Sequence, residues 1–518
     1  MIVEIGCGGD ASGCGGGNYG EDGGSDGQPV KQQKKKVDYI SELPDCILSV
    51  ILSMVSMKDL INTSVLSKRW CNLWHSIRDL KFDVHNVLVS HHEELLKMGY
   101  VVDEDVQKYI GLVKGIALEL GCRGEFVKRV DQFVKNFKGT VIDSFMVEFI
   151  LNQEHSNNID NWIRFAIARG VERIDLLFRY SLQHKDACYK FPFGLSIDCN
   201  NNSSTLKHMH LEFCLVYQPT TSFDIFPFTN LRSLVLEFSQ VDVILLETLL
   251  SNCLLLEELS LRRCDLSLPT LKIVSSSLCY FKLDCCHDNK YGGLKFISLD
   301  CPKLTAFNYM HSLCSDRMSM NTPILKTIHY CCCLESKVIH NVFAIFATVP
   351  QLETLKLDII NNSFNINDEV LQSIQTMETL RELNLSVNAE HDFDIWWILA
   401  ILQASPFLQK LTVMITDAEF YANQREIRDL VMFSHNEIKV IEIGGCVGNW
   451  YEIEFAMTAL KYMHKLERIV LSPHWIDERF GINICGWYCD PTWSLNGRKI
   501  ILEKLGAEEI EVDKLVLK

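Results

Sequence analysis

A short hydrophobic pattern recurs along most of the chain, with apolar residues at the first, fourth and sixth of six positions. Single matches carry little weight in a chain that is 47% hydrophobic, so the evidence lies in the spacing and in the recurring leucine. After a first step of 35 residues, successive copies start 21 to 30 residues apart, and ten of the twelve open with leucine. The copies start at residues 171, 206, 231, 256, 278, 304, 325, 352, 380, 408, 438 and 466.

The alternation at the end of each copy predicts a short strand with one buried face. The connections of about twenty residues are too long for a hairpin and suit a crossover to a parallel neighbour. This spacing is typical of a leucine-rich-repeat solenoid, in which stacked copies bury a continuous core. Helix-like segments such as Val243–Leu259 and Asn367–Leu383 are predicted to lie on the other side. The predicted fold class is therefore α/β, with a small three-helix domain followed by a solenoid that has a parallel concave sheet and convex helices.

The polar positions of each strand are predicted to face the concave surface, where solenoids often bind their partners. The candidate substrate-binding residues in one predicted row are His210, Lys282, His329, Lys356 and Asn384. Those in the neighbouring row are Glu258, Tyr280 and Glu382. A third predicted row contains Glu212, Glu237, Arg262, Asp284 and Asp358. For each residue the alternative is a plain solvated strand face.

The N-terminal part of the chain follows other patterns. Residues 1–36 are Gly-rich and cannot bury enough apolar surface to offset the entropy of ordering. Residues 38–80 predict three short helices, and one apolar stripe on the first of them contains Ile47, Val50, Ile51, Met54 and Val55. Three short helices bury little among themselves, so their apolar faces need an outside partner or the following domain.

Composition and charge limit the classes of partner and the cellular location that we expect for this chain. The formal net charge of −16 gives no basic field for nucleic acid or acidic lipid. The N-terminus shows no secretory signal, and the strongly apolar run Ile395–Leu402 is too short to span a bilayer. The 21 cysteines include no Cys-x-x-Cys pair, which favours reduced thiols and a cytoplasmic or nuclear location. We therefore expect neither nucleic acid nor membrane as a partner.

Motifs for catalysis are incomplete. The segment His91–Leu96 nearly matches His-Glu-x-x-His, but Leu96 stands where the second zinc ligand is required. There is no Gly-x-Ser-x-Gly elbow and no phosphate-binding glycine loop followed by Lys-Ser/Thr. We expect no active site, no metal and no cofactor; the rival hypothesis of a hydrolase or thiol enzyme would need residues brought together from different repeats.

Two segments resemble a known family. Residues 40–74, with the Leu43-Pro44-Asp45 opening and the closing "TSVLSKRWCNLW", resemble the F-box of plant F-box/leucine-rich-repeat proteins, and His435–Pro473 resembles the FBD module of such chains. The predicted domains are a disordered tail at 1–36, the F-box at 38–80, a linker at 81–170 with a helical insertion at about 84–124 and a first weak repeat, leucine-rich repeats at 171–434, FBD-like terminal repeats at 435–473, and a C-terminal segment at 474–518.

The resemblance implies a non-catalytic receptor of an SCF-type cullin–RING ubiquitin ligase. The F-box would bind a Skp-type adaptor and through it a cullin, while the repeats would hold an unknown protein substrate. The implied adaptor contacts are Leu43, Pro44, Ile47, Leu48, Ile51, Leu60, Val65, Leu66 and Trp70. The alternative is a repeat scaffold or sequestering protein without ubiquitin transfer. The two hypotheses differ at the F-box, because residues buried within the chain are not available to an adaptor.

Overall fold

The computed structural model describes residues 42–55, 59–60, 69, 74–88, 121–179, 188–193, 205–217, 228–284, 286, 294–311, 318–332, 343–359, 376–388, 397–416, 434–473, 497–507 and 513–518. It divides into two compact units, Met1–Leu48 and Ser49–Lys518. The boundary lies inside the first helix, α1 (Asp45–Ser53). Residues 42–44 and the start of α1 are therefore the described part of the first unit, and all other elements belong to the second.

The largest sheet of the second unit is parallel. Among the described residues it has fifteen strands, and each pairs in parallel with the next. Numbered in chain order across all sheets, its strands are β1 (Asp79–Phe82), β2 (Ser144–Phe149), β3 (Arg173–Phe178), β5 (His208–Glu212), β7 (Ser233–Glu237), β9 (Glu258–Arg262), β12 (Tyr280–Asp284), β14 (Ala306–His311), β16 (Thr327–Cys332), β17 (Thr354–Ile359), β18 (Glu382–Asn388), β19 (Lys410–Thr416), β20 (Val440–Gly444), β21 (Arg468–Ser472) and β22 (Leu515–Leu517). The predicted fold class is confirmed.

Two smaller parallel sheets carry the chain between main-sheet strands. One has the order β10-β8-β6-β4, with β4 (Tyr189–Lys190), β6 (Cys214–Val216), β8 (Gln240–Val241) and β10 (Asp265–Leu266). The other has the order β11-β13-β15, with β11 (Thr270–Val274), β13 (Phe296–Asp300) and β15 (Met318–Asn321). The central repeats therefore return through short strands, where the sequence pattern predicted helices.

Helices occupy the return segments elsewhere. The described ones after α1 are α2 (Val84–Val87), α3 (Arg123–Asn136), α4 (Ser156–Ile167), α5 (Val243–Asn252), α6 (Trp397–Ala404), α7 (Trp450–Tyr462) and α8 (Gly497–Ala507). Asp242 starts α5 by accepting a hydrogen bond from the Ile244 backbone N–H at 3.0 Å. Trp162 of α4 donates its indole N–H to Asp131 of α3 at 2.7 Å, which joins these two helices.

Stacked apolar columns hold the sheet together. In register across the strands, one column contains Leu211, Leu236, Leu261, Leu283, Tyr309, Tyr330, Leu357, Leu385, Val413, Ile443 and Leu471. Each of these side chains is at most 2% exposed. Burying a large aliphatic side chain stabilises the fold by about 1.5–3 kcal/mol, so this shared column is the main source of cohesion between repeats.

Some boundaries differ from the sequence prediction. The sheet begins at β1, within the segments assigned to the F-box and linker, before the first weak repeat that now forms β2. The helix predicted over 243–259 ends at Asn252, since the chain must extend again to enter β9 at Glu258. Of the helix predicted over 367–383, residues 367–375 lie outside the described part, and Glu382 already begins β18.

Three strand ends share an uncommon backbone conformation. Phe213, Phe238 and Arg263 directly follow β5, β7 and β9, and their φ angles are 52°, 48° and 50°. In this left-handed region the backbone N–H of each residue still donates to a carbonyl of the next strand, over 2.6–3.0 Å. The two phenylalanine rings stack at 4.8 Å. The backbone strain of these residues is thus offset by a continued ladder and by aromatic contact.

A buried carboxylate closes the turn before α7. Glu452 is fully buried, and its two oxygens accept hydrogen bonds from the backbone N–H groups of Val447 at 3.1 Å and Gly448 at 2.8 Å. Gly448 has a φ of 98° and lies against Gly497 at the start of α8, so a larger residue does not fit there. Burial raises the pKa of Glu452 to about 7, and the backbone hydrogen bonds oppose that rise.

We predict that Glu452 makes stability decrease as the pH rises from about 4.5 to about 7. In this window the folded protein holds the proton of Glu452 more tightly than the unfolded chain, whose carboxyl has its ordinary pKa of 4.5. The effect amounts to about 3 kcal/mol at most, and Glu452→Gln should remove it. Urea unfolding of both proteins at pH 5 and pH 8 measures the difference; equal pH dependence in both would mean that Glu452 is ionised in the folded protein.

Candidate functional site

The helix α1 exposes an apolar stripe. Pro44 starts the helix, since its carbonyl accepts hydrogen bonds from the backbone N–H groups of Ile47 and Leu48 at 3.0 and 3.1 Å. Along α1 and the residue after it, exposed apolar side chains recur at helical spacing: Ile47 (46% exposed), Val50 (53%), Ile51 (38%) and Met54 (79%). Large apolar side chains exposed in a row are a mark of an interaction surface.

The other side of α1 is buried. Leu48 and Leu52 are 0% and 1% exposed, and Leu60 is 6% exposed. Within the second unit, a cavity of about 50 Å³ is lined by Leu52, Val55, Leu60, Ile77, Leu80, Phe82 and Phe133, among others. An amphipathic helix must bury one apolar face, and on α1 that face includes Leu48, which was predicted to contact the adaptor. Leu48 and Leu60 are thus buried within the chain, and their role as adaptor contacts stays a prediction.

The remaining predicted adaptor contacts are exposed, half-buried or outside the described residues. Ile47, Ile51 and Pro44 are exposed, and Leu43 is half-buried. Val50 and Met54 were noted for their helical spacing but were not assigned to the adaptor, and they are the most exposed residues of the stripe. Val65, Leu66 and Trp70 lie outside the residues that the structure describes.

The second candidate surface is the face of the main sheet opposite the apolar columns, here called the open face. All eight predicted substrate-binding residues lie on it and are half-buried. In register, one row runs Asp175, His210, Val235, Ser260, Lys282, Asn308, His329, Lys356, Asn384, Thr412, Glu442 and Val470, as the sequence predicted. Glu258, Tyr280 and Glu382 occupy the neighbouring row. Their role in binding stays a prediction.

Charges on the open face pair across neighbouring strands or, as in Lys282 and Asp284 of β12, along one strand. Arg262 contacts Glu237 at 3.0 Å, and Lys282 contacts Asp284 at 3.7 Å. Further along the sheet, Glu442 contacts both Lys410 and Arg468, at 3.3 and 3.1 Å. Exposed pairs of this kind add little stability, so their main effect is to cancel charge along the face.

The carboxyl groups of Glu212 on β5 and Glu237 on β7 have pKa values that are shifted in opposite directions. The nearby His210, whose Nε2 lies 3.6 Å from the Glu237 carboxylate, and the charge of Arg262 lower the pKa of Glu237. Burial and the nearby Glu237 raise the pKa of Glu212 to about 7. At neutral pH, Glu212 is therefore present in both charged and neutral forms, while Glu237 carries the fixed negative charge of this pair.

Several of the described cysteines are buried thiols of low reactivity. Eleven of the described cysteines are free thiols. Burial raises the pKa of Cys253 and Cys301 to about 11 each, so both are protonated at neutral pH. Within the described ranges no cluster of His, Cys, Asp and Glu is suited to hold a metal ion. None of the helices described is both long enough and apolar enough to span a membrane.

The helix α1 and most of the leucine-repeat sheet lie in segments that match two known domains, an F-box and a leucine-rich-repeat domain. Residues 40–82 match the F-box domain model, and residues 133–492 match the model described as At1g61320/AtMIF1, LRR domain. The second match covers more than half of the chain, and the chain belongs to this leucine-rich-repeat family.

Relatives from Arabidopsis thaliana share this organisation. The chain is 28% identical over 447 residues to the F-box/FBD/LRR-repeat protein At1g13570, covering 84% of this chain and 91% of the relative. It is 27% identical over 345 residues to the F-box/LRR-repeat protein At3g58900, covering 65% of this chain and 88% of the relative. The chain is 26% identical over 274 residues to F-box/LRR-repeat protein 13, covering about half of each chain. The resemblance to plant F-box/FBD/leucine-rich-repeat proteins is thereby confirmed.

We predict that the two sides of α1 differ in their contribution to stability. Leu52→Ala should destabilise the region around α1 by about 2–4 kcal/mol, because the substitution enlarges a cavity in a buried contact. Val50→Ala, on the exposed side, should change stability by less than about 0.5 kcal/mol. Hydrogen exchange of the α1 amides measures both, and similar exchange rates in the two variants would contradict the assignment of faces.

Proposed function

We propose that this protein is the substrate-recognition subunit of an SCF-type cullin–RING ubiquitin ligase. The observation that carries the proposal is the exposed stripe Ile47, Val50, Ile51 and Met54, which lies within the segment matching the F-box model. F-box domains generally bind a Skp-type adaptor, and F-box/leucine-rich-repeat proteins are generally SCF substrate receptors. The stripe is exposed, so a partner can cover it without unfolding the chain.

The repeats would supply the substrate site. The open face presents polar and charged residues from consecutive strands, and extended repeat surfaces of this kind bind protein partners. The protein itself would be non-catalytic: by holding the substrate near the ubiquitin-charged conjugating enzyme it raises the effective concentration of the reacting groups. The proposed location is the cytoplasm, the nucleus or both, where thiols such as buried Cys253 stay reduced.

We predict that Ile47→Ser/Ile51→Ser weakens binding to a purified plant Skp-type adaptor by about thirtyfold. Each half-exposed isoleucine would lose about 1 kcal/mol of apolar burial at the interface. Titration calorimetry with the full chain measures the affinity. The matched control is Ile244→Ser, which alters a 55% exposed isoleucine on α5 and should leave adaptor binding unchanged.

Circular dichroism must show equal folding of all three proteins. Loss of binding in the double variant with retention in the control supports the receptor function. If the folded wild type does not bind the adaptor at micromolar concentration, the proposal fails and a scaffold without ubiquitin transfer becomes the better hypothesis.

A further inference from the structure

The return segments change from a helix to a strand between two successive repeats, and a cavity lies where they meet. The helix α5 packs beside β11, the outer strand of the small sheet β11-β13-β15. The cavity between them has a volume of about 330 Å³. Its lining includes Glu247, Leu250, Leu254, Lys272 and Val274. We call this feature the α5–β11 groove.

The groove combines an apolar wall with access from solvent. Leu254 and Val274 are 64% and 45% exposed, whereas Leu250 is 3% exposed and closes the inner side. The volume falls within the range of about 300–1,000 Å³ that is usual for ligand pockets. Exposed apolar side chains on two sides of one cavity lose contact with water when an apolar group enters. The groove can therefore take up a large apolar side chain from solvent.

The backbone of β11 offers hydrogen-bonding groups along the same groove. At its two ends, the carbonyl of Pro269 and the N–H of Ser275 bond to the chain of β13, at 2.8 and 3.1 Å. Backbone groups alternate in direction along a strand, so those of Lys272 and Val274 point to the opposite edge, toward the groove. No described residue bonds to these outward N–H groups. An unpaired strand edge is a template for the addition of a further strand.

The rim of the groove carries one charge of each sign. Glu247 and Lys272 are both exposed and stand on the two sides, one on α5 and the other on β11. A rim of mixed charge does not attract a polyanion or an anionic membrane surface, whereas it can pair with the basic and acidic side chains of a peptide. An extended peptide is thus the ligand that matches the apolar wall, the strand edge and the rim together.

We propose that the α5–β11 groove binds an extended peptide segment of a partner protein by strand addition to β11. The peptide backbone exchanges hydrogen bonds with Lys272 and Val274, and one apolar side chain of leucine size fills the cavity against Leu250 and Leu254. This site is formed by the return segments and not by the open face. The inference therefore goes beyond the proposed function and does not depend on it.

The first test uses the purified full chain and fluorescent heptapeptide pools with random flanks and a central residue fixed as leucine or serine. The leucine pool should bind about tenfold more tightly in fluorescence anisotropy, because only leucine fills the apolar cavity. Two further leucine pools carry one N-methyl group, either on the central residue or on the residue after it. Alternate residues of an added strand face β11, so one methylation should weaken binding about fivefold and the other should not.

The second test changes the groove. Leu254→Ser should weaken binding of the leucine pool about fivefold by removing part of the apolar wall. The matched control Leu255→Ser alters the next residue, a 45% exposed leucine outside the cavity lining, and should leave binding unchanged. Val274→Pro keeps an apolar residue but removes one outward N–H. It should weaken binding about fivefold without lowering Tm, because the ladder with β13 does not use this N–H.

Equal binding of the leucine and serine pools, or equal binding of the two N-methylated pools, would overturn the inference. So would the absence of binding by every pool at about millimolar concentration. The other candidate occupant is a second copy of the chain. A dimer in sedimentation velocity that Leu254→Ser abolishes and Leu255→Ser retains would assign the groove to self-association and overturn the peptide site. Adaptor binding is measured separately, and Leu254→Ser should leave it unchanged.

Discussion

The register of the parallel sheet is the constraint on which the other features depend. Because Leu236 aligns with Leu211 and Leu261, each repeat buries its leucines against those of its neighbours. The alternation of side chains along each strand then determines which residues lie on the open face. A slip of one residue would exchange the two faces, so the cost of exposing the apolar columns also fixes the positions of His329 and Asp358.

This constraint explains why the open face could be predicted from sequence alone. Once the apolar positions of a repeat are recognised, its polar residues fall into rows, and the observed register reproduces each predicted row. The return segments are less regular, and the sequence did not reveal the small sheets. Strands such as Gln240–Val241 are two residues long, too short to show alternation, and are formed by pairing with equally short neighbours.

The faces of α1 could not be assigned from sequence for a different reason. Nearly every residue from Ile47 to Val55 is apolar, so periodicity alone does not tell which side packs within the chain. The structure resolves this, because Leu48 and Leu52 are buried while Val50 and Met54 are exposed. A helix that is apolar on both sides suits a segment with two contacts, one inside the chain and one outside it.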